Sequence, residues 1–240
     1  MTEEEWLTAI YTAELLKFLK SQSSSRKLRY FVVSCARNVL PPLPDLDMIN
    51  ALELAEAFAD GTGTKHKLAQ GRKTLRTRHA ERVRQWNPLY TDHVRSVPAW
   101  YTLIERIEGV VENAANSCAW AASRFPISVD RKIVQQDFYS GLKHQSDILQ
   151  HEMKHQINLI RDIFGNPFRP INFDPEWRTS TAVALAQTMY DARNFHAMPI
   201  LADALQDAGC EDAAILDHCR DENNLHVRGC WVVDLVLGKA

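Results

Sequence analysis

His151-Glu152-Met153-Lys154-His155 spells HExxH. On a helix, histidines four residues apart lie one turn above each other and can share a zinc ion, while the glutamate acts as general base toward zinc-bound water. That chemistry would make the chain a zinc-dependent hydrolase. Three features weigh against it. Lys154 occupies a position that such enzymes keep uncharged, because their helix is buried. No third ligand follows at a recognised spacing. On a helical wheel His144, His151 and His155 share a side roughly 100° or more from the centre of the apolar face, while Glu152 points toward that face. A partly exposed histidine edge is the expectation, with the hydrolase as an alternative. Glu152-x-x-His155 also matches half of the carboxylate-bridged di-iron pattern, but a second such motif is missing.

A second group is denser. Cys210, His218, Cys219, His226 and Cys230 place five nitrogen or sulfur donors within a short C-terminal stretch. Zinc needs four such ligands in a tetrahedron. The spacing C-x7-H-C-x6-H-x3-C lacks a CxxC knuckle, and adjacent His218 and Cys219 would point about 100° apart on a helix. The competing expectation is that the cysteines pack as small apolar residues. No cofactor is required by either group, and zinc is the one that would fit.

A third group is cationic. Lys65, Lys67, Arg72, Lys73, Arg76, Arg78, Arg82 and Arg84 are opposed only by Glu81, a formal +7 over the stretch. Such a helix could neutralise phosphates and bind nucleic acid. The charges surround the helix, Gly71 weakens it, and no aromatic residue interrupts it to stack on bases. A solvated helix, or one docked on an acidic protein, is the commoner outcome. The loop from Gly165 to Trp177 adds Phe164, Phe168, Phe173 and Trp177 with Arg169 and Arg178. These are expected to anchor the loop more than to recognise a partner. No glycine-rich phosphate loop, G-x-S-x-G elbow or marked nucleophilic cysteine is present.

The elements that must position these groups read as helices. Thr2 and Glu5 form a capping box, and Trp6, Ile10, Leu15 and Leu19 supply one stripe. A second helix spans about Arg26 to Leu40 and ends at Pro41, Pro42 and Pro44. A third carries Ile49, Leu52, Leu54, Ala55 and Phe58 to Asp60-Gly61. The basic helix runs from Thr64 to Trp86, and a long one from Ala99 to Arg124. The longest runs from Val129, capped by Ser128, to Phe164. Beyond Gly165 the sequence predicts helices near Ser180–Arg193, Pro199–Ala208, Glu211–Arg220 and Gly229–Leu237, the last also suited to a short strand. Trp100, Trp120, Phe138 and Trp231 are the expected core anchors.

LIRDIFGNPFRP, MPILADALQDAGC, HCR and HVRGCWVVDLVLGK, with MTEEEWL and SSRKLRYFVVSCAR at the other end, resemble a family of proteins abundant in planctomycete genomes. The resemblance covers both ends of the chain. It implies a bacterial protein and brings no activity, cofactor or catalytic residue with it.

Composition sets the frame. At 240 residues, 45% hydrophobic and 24% charged, the chain can bury a core without staples, and a net charge of −2 favours no class of partner. No apolar run reaches the roughly 18–20 residues of a membrane span. The acidic MTEEEWLTAI start is not a secretory signal. An odd count of five cysteines points to reduced thiols in the cytoplasm. The reading is a mainly α protein. Long antiparallel helices form a bundle over 1–164, and a smaller helical region, 165–240, packs on it. Its expected role is a non-enzymatic module that binds another protein, with the zinc hydrolase and the nucleic-acid module as alternatives and no membrane.

Overall fold

The computed structural model describes residues 1–40, 46–84, 99, 101–124 and 138–239. The chain is mainly α, with no strand among the described residues. Its helices are α1 (Glu3–Thr8), α2 (Thr12–Leu19), α3 (Ser25–Asn38), α4 (Leu46–Ala59), α5 (Lys65–Arg84) and α6 (Val111–Arg124). They continue as α7 (Phe138–Phe164), α8 (Ser180–Ala192), α9 (Met198–Asp207), α10 (Ala213–Arg220) and α11 (Trp231–Leu237). The C-terminal segment that could have been a strand is therefore helix. No helix among the described residues is long and apolar enough to cross a membrane.

Hydroxyl and carboxylate caps start five of these helices, as short polar side chains do by accepting an orphan amide proton. Thr2 Oγ1 accepts from Glu5 N at 3.2 Å, and Glu5 Oε2 returns the bond to Thr2 N at 2.7 Å. Ser24, Thr64, Thr179 and Asp212 cap α3, α5, α8 and α10 in the same manner.

Two expected helices are broken, and in both an arginine takes the carbonyls that the next turn would need. The stripe over Trp6, Ile10, Leu15 and Leu19 divides into α1 and α2, leaving Ile10 66% exposed. Arg161 Nη2 donates to Leu7 O at 2.8 Å and to Trp6 O at 3.4 Å. A continuous helix would have given those oxygens to residues 10 and 11. The stretch expected as one helix from Ala99 to Arg124 breaks after residue 102, makes one 3-10 turn at Ile107–Gly109, and resumes as α6. Here buried Arg29 donates to Thr102 O at 2.6 Å and Glu105 O at 2.9 Å.

The chain forms two compact units, residues 9–157 and residues 1–8 with 158–240. In the first, α3, α4 and α5 enclose a core of Val33, Ala36, Met48, Leu52, Ala55 and Leu68. Cys35 on α3 and Cys118 on α6 are buried in the same unit. In the second, Trp6 is buried, as are Leu159, Ile160 and Ile163 of α7 and the inner faces of α8 to α11. Of the expected anchors, Trp231 is half-buried in this unit. Trp100 and the side chains of Trp120 and Phe138 lie outside the described residues, as do Pro41, Pro42, Pro44 and the start expected for α7 at Val129.

Candidate metal centre

Four side chains of the unit formed by residues 1–8 and 158–240 converge: Asp162, His218, His226 and Cys230. Asp162 lies in the last turn of α7, His218 in the last turn of α10, and Cys230 at the N-terminus of α11. His226 comes from the loop between α10 and α11. That loop is fixed at its far end by the Cys230 N–H to Val227 O bond of 3.0 Å. Gly165, with φ of 65°, ends α7 in the left-handed conformation that favours glycine, and a Cβ there would stand a tight 3.2 Å from Trp231 Cγ, so glycine suits the close approach of that indole to the turn. Trp231 in turn holds the His218 ring, 5.0 Å away between centroids.

One potential ligand atom from each residue lies within 4.8 Å of all the others. His226 Nδ1 is 2.9 Å from Asp162 Oδ1, and His218 Nε2 is 3.3 Å from the same oxygen. Cys230 Sγ is 3.3 Å from His218 Nε2 and 3.9 Å from His226 Nδ1. Zinc bonds of about 2.0–2.1 Å to nitrogen or oxygen and 2.3 Å to sulfur, at tetrahedral angles, give edges of about 3.3 Å and 3.6 Å. The nitrogen–sulfur separations, 3.3 and 3.9 Å, bracket the second value, while the oxygen–nitrogen separations, 2.9 and 3.3 Å, lie at or below the first. The other oxygen, Asp162 Oδ2, accepts from Val227 N–H at 3.0 Å, which turns Oδ1 inward as a single donor.

The environment is dry. The Asp162 and Cys230 side chains are buried, and those of His218 and His226 are 12% and 7% exposed. Burial pushes the Asp162 carboxyl up, but the bonds and charges of His218 and His226 outweigh it and hold the group below its ordinary range. Burial first, and then the Asp162 charge, pushes the Cys230 thiol well up. A divalent cation would reverse that, because a coordinating thiol gives up its proton to the metal.

Of the five C-terminal donors named from the sequence, the structure brings together His218, His226 and Cys230. Cys210 and Cys219 are buried and outside the group. Burial, and then Cys210, raises the Cys219 thiol to about 12, as suits a small core residue. Asp162 was not among the sequence candidates. Its signal is an acid within the apolar run LIRDIF, which is costly unless something answers the charge.

The HExxH residues lie in the unit of residues 9–157. His151 is exposed and His155 half-buried. Burial, and then the nearby His151, lowers the His155 pKa. Glu152 is 2% exposed, accepting from Asn38 Nδ2 at 2.7 Å and Gln156 Nε2 at 3.0 Å. No third ligand gathers with His151 and His155 among the described residues. On the basic helix, Lys65, Lys67, Lys73, Arg76 and Arg78 are exposed and Arg72 is half-buried; the side chains of Arg82 and Arg84 lie outside the described residues. The aromatic loop is tied down. Phe173 meets Trp177 edge-on at 5.3 Å, Arg178 covers Phe173, and Arg178 Nη2 donates to Leu235 O at 3.0 Å.

No protein-family model, curated protein or solved structure matches the chain.

Proposed function

We propose that this chain is a non-enzymatic helical interaction module whose C-terminal helices are stapled by one structural zinc ion. The ligands are Asp162 Oδ1, His218 Nε2, His226 Nδ1 and Cys230 Sγ. The observation that carries the reading is the convergence of four zinc-type donors, one atom of each within 4.8 Å of all the others, with nitrogen–sulfur separations of 3.3 and 3.9 Å that bracket a tetrahedral zinc edge. Four protein ligands fill the coordination sphere and leave no open position for water, which marks a structural site and not a catalytic one. One ligand comes from α7, two from the ends of α10 and α11, and one from the loop between them, so the ion would join three helices at once. Five free thiols suit a reducing compartment such as the cytoplasm. The hydrolase reading is less well supported, because Glu152 is already engaged by two amides and faces away from solvent.

The test is metal analysis of the untagged protein purified without chelator. About one zinc per chain is expected. Cys230→Ser and His226→Asn should lose it, while Cys219→Ala and His155→Ala should keep it. Cobalt in place of zinc should give the intense bands of a tetrahedral site, with a thiolate charge-transfer band that Cys230→Ser removes. A protein that neither carries zinc nor takes it up would end the proposal. Loss of zinc in His155→Ala with retention in Cys230→Ser would move the site to the HExxH helix.

A further inference from the structure

Helix α5 is attached to its unit along one narrow stripe. Leu68 and Leu75 are buried, and a Cβ at Gly71 would stand 2.9 Å from Leu54 Cδ1 and 3.3 Å from Leu103 Cδ1. At about 100° per residue, these positions centre one side of the helix. The opposite side carries His66, Gln70, Lys73 and Thr77, all exposed. Two flanks roughly 180° apart separate these sides. Lys67 and Arg78 occupy one flank, and Lys65, Arg72 and Arg76 the other. Lys65 is paired with Glu105, and Arg78 with Asp47 at 3.2 Å and Glu81 at 3.6 Å. Lys67, Lys73 and Arg76 have no ion pair among the described residues.

We infer that α5 enters the major groove of duplex DNA. Gln70, Lys73 and Thr77 face the base edges, and the two cationic flanks face the phosphates on either side. The fit is one of shape and charge. A helix with side chains is about 10–12 Å across, and the B-form major groove is about 12 Å wide. A helix inserted tip-first presents its flanks to both backbones, which is where α5 carries its cations. The outward side is polar, with hydrogen-bonding groups of the kind that read base edges, and the apolar stripe is already used for attachment. A-form RNA offers a deep, narrow major groove that does not admit the same helix. Helix α5 belongs to the unit of residues 9–157, so this inference stands or falls apart from the zinc site.

The test uses the full chain and fluorescence anisotropy with a labelled mixed-sequence DNA duplex of about 30 base pairs, a matching RNA duplex, and sodium chloride from 50 to 300 mM. Each phosphate contact contributes about 0.9 to the slope of log affinity against log salt, so a slope near −4 to −5 is expected for DNA. The RNA duplex should bind at least about tenfold more weakly. The charge reversals Lys67→Glu, Lys73→Glu and Arg76→Glu together should weaken DNA binding by about 30-fold or more, and loss of the two phosphate-facing cations, Lys67 and Arg76, should reduce the slope by about 2. Circular dichroism checks that the helices persist, and Lys73→Glu alone gives a milder variant if the triple change unfolds the chain. Absence of DNA binding at 50 mM salt would overturn the inference. So would equal affinity for RNA, or binding that survives both variants.

Discussion

A carboxylate removed from water persists only where hydrogen bonds or charges answer it. Asp162 and Glu152 show two outcomes of that rule. Asp162 faces two imidazoles and a backbone amide, and its pKa is lowered. Asp162→Asn keeps the shape but removes the anionic donor, and zinc affinity should fall by about 100-fold or more, read by competition with a chromophoric chelator. Glu152 is answered only by neutral amides; burial dominates and its pKa lies above the ordinary 4.5. The folded protein then holds this proton to higher pH than the unfolded chain does. The stability contributed by Glu152 is full below pH 4.5 and declines as pH rises through the folded value. Glu152→Gln should remove that decline, so urea midpoints of variant and parent should diverge as pH rises above 4.5. Parallel profiles would exclude it. At this scale sequence was a partial guide. His218, His226 and Cys230 were legible because donor types are rare and crowded near the C-terminus. Asp162 was not, since its partners lie more than fifty residues away and no local spacing joins them.

At the scale of the element, starts were easier to read than stops. A capping serine or threonine lies beside the helix it begins, so Thr2, Ser24, Thr64 and Thr179 act within their own sequence window. The stops that sequence missed are made by arginines from elsewhere: Arg29 closes the short helix near residue 102, and Arg161 closes α1. Arginines also serve two ends that the sequence did place: Arg228 takes Tyr190 O at 2.6 Å at the end of α8, and Arg178 takes Leu235 O near the end of α11. Arg29 is the most buried of these, and burial brings its pKa down to about 10. Arg29→Met should strand two carbonyls and lower stability by about 2–4 kcal/mol in a urea melt, with Arg29→Lys recovering part of it. The α4–α5 turn gives a second test. A Cβ at Gly63 would meet Phe58 N at 2.6 Å and Phe58 Cα at 2.9 Å, and backbone cannot step aside as a side-chain tip can. Gly63→Ala should therefore destabilise the chain by about 1–3 kcal/mol.

At the scale of the molecule, the helical class was legible from periodicity alone, because apolar stripes at 3.6-residue spacing must be buried somewhere. Which stripes share a core was not, because that depends on long-range contact. If zinc staples residues 158–240, a strong chelator should raise amide exchange across α9 to α11 and leave α3 and α4 unchanged. A uniform response, or none, would count against a local staple. One further consequence follows from the composition of that unit. It includes residues 1–8, with Trp6 buried in it and Glu3 held by Asn166 at 2.7 Å. During synthesis those first residues must wait for about 150 more before their partners exist. At about 5–20 residues per second, that is a delay of roughly 8–30 seconds. Throughout that interval an indole destined for the interior stands in water. The ribosome thus sets a clock on this protein that begins when Trp6 emerges and runs at least until the segment from residue 158 onward arrives.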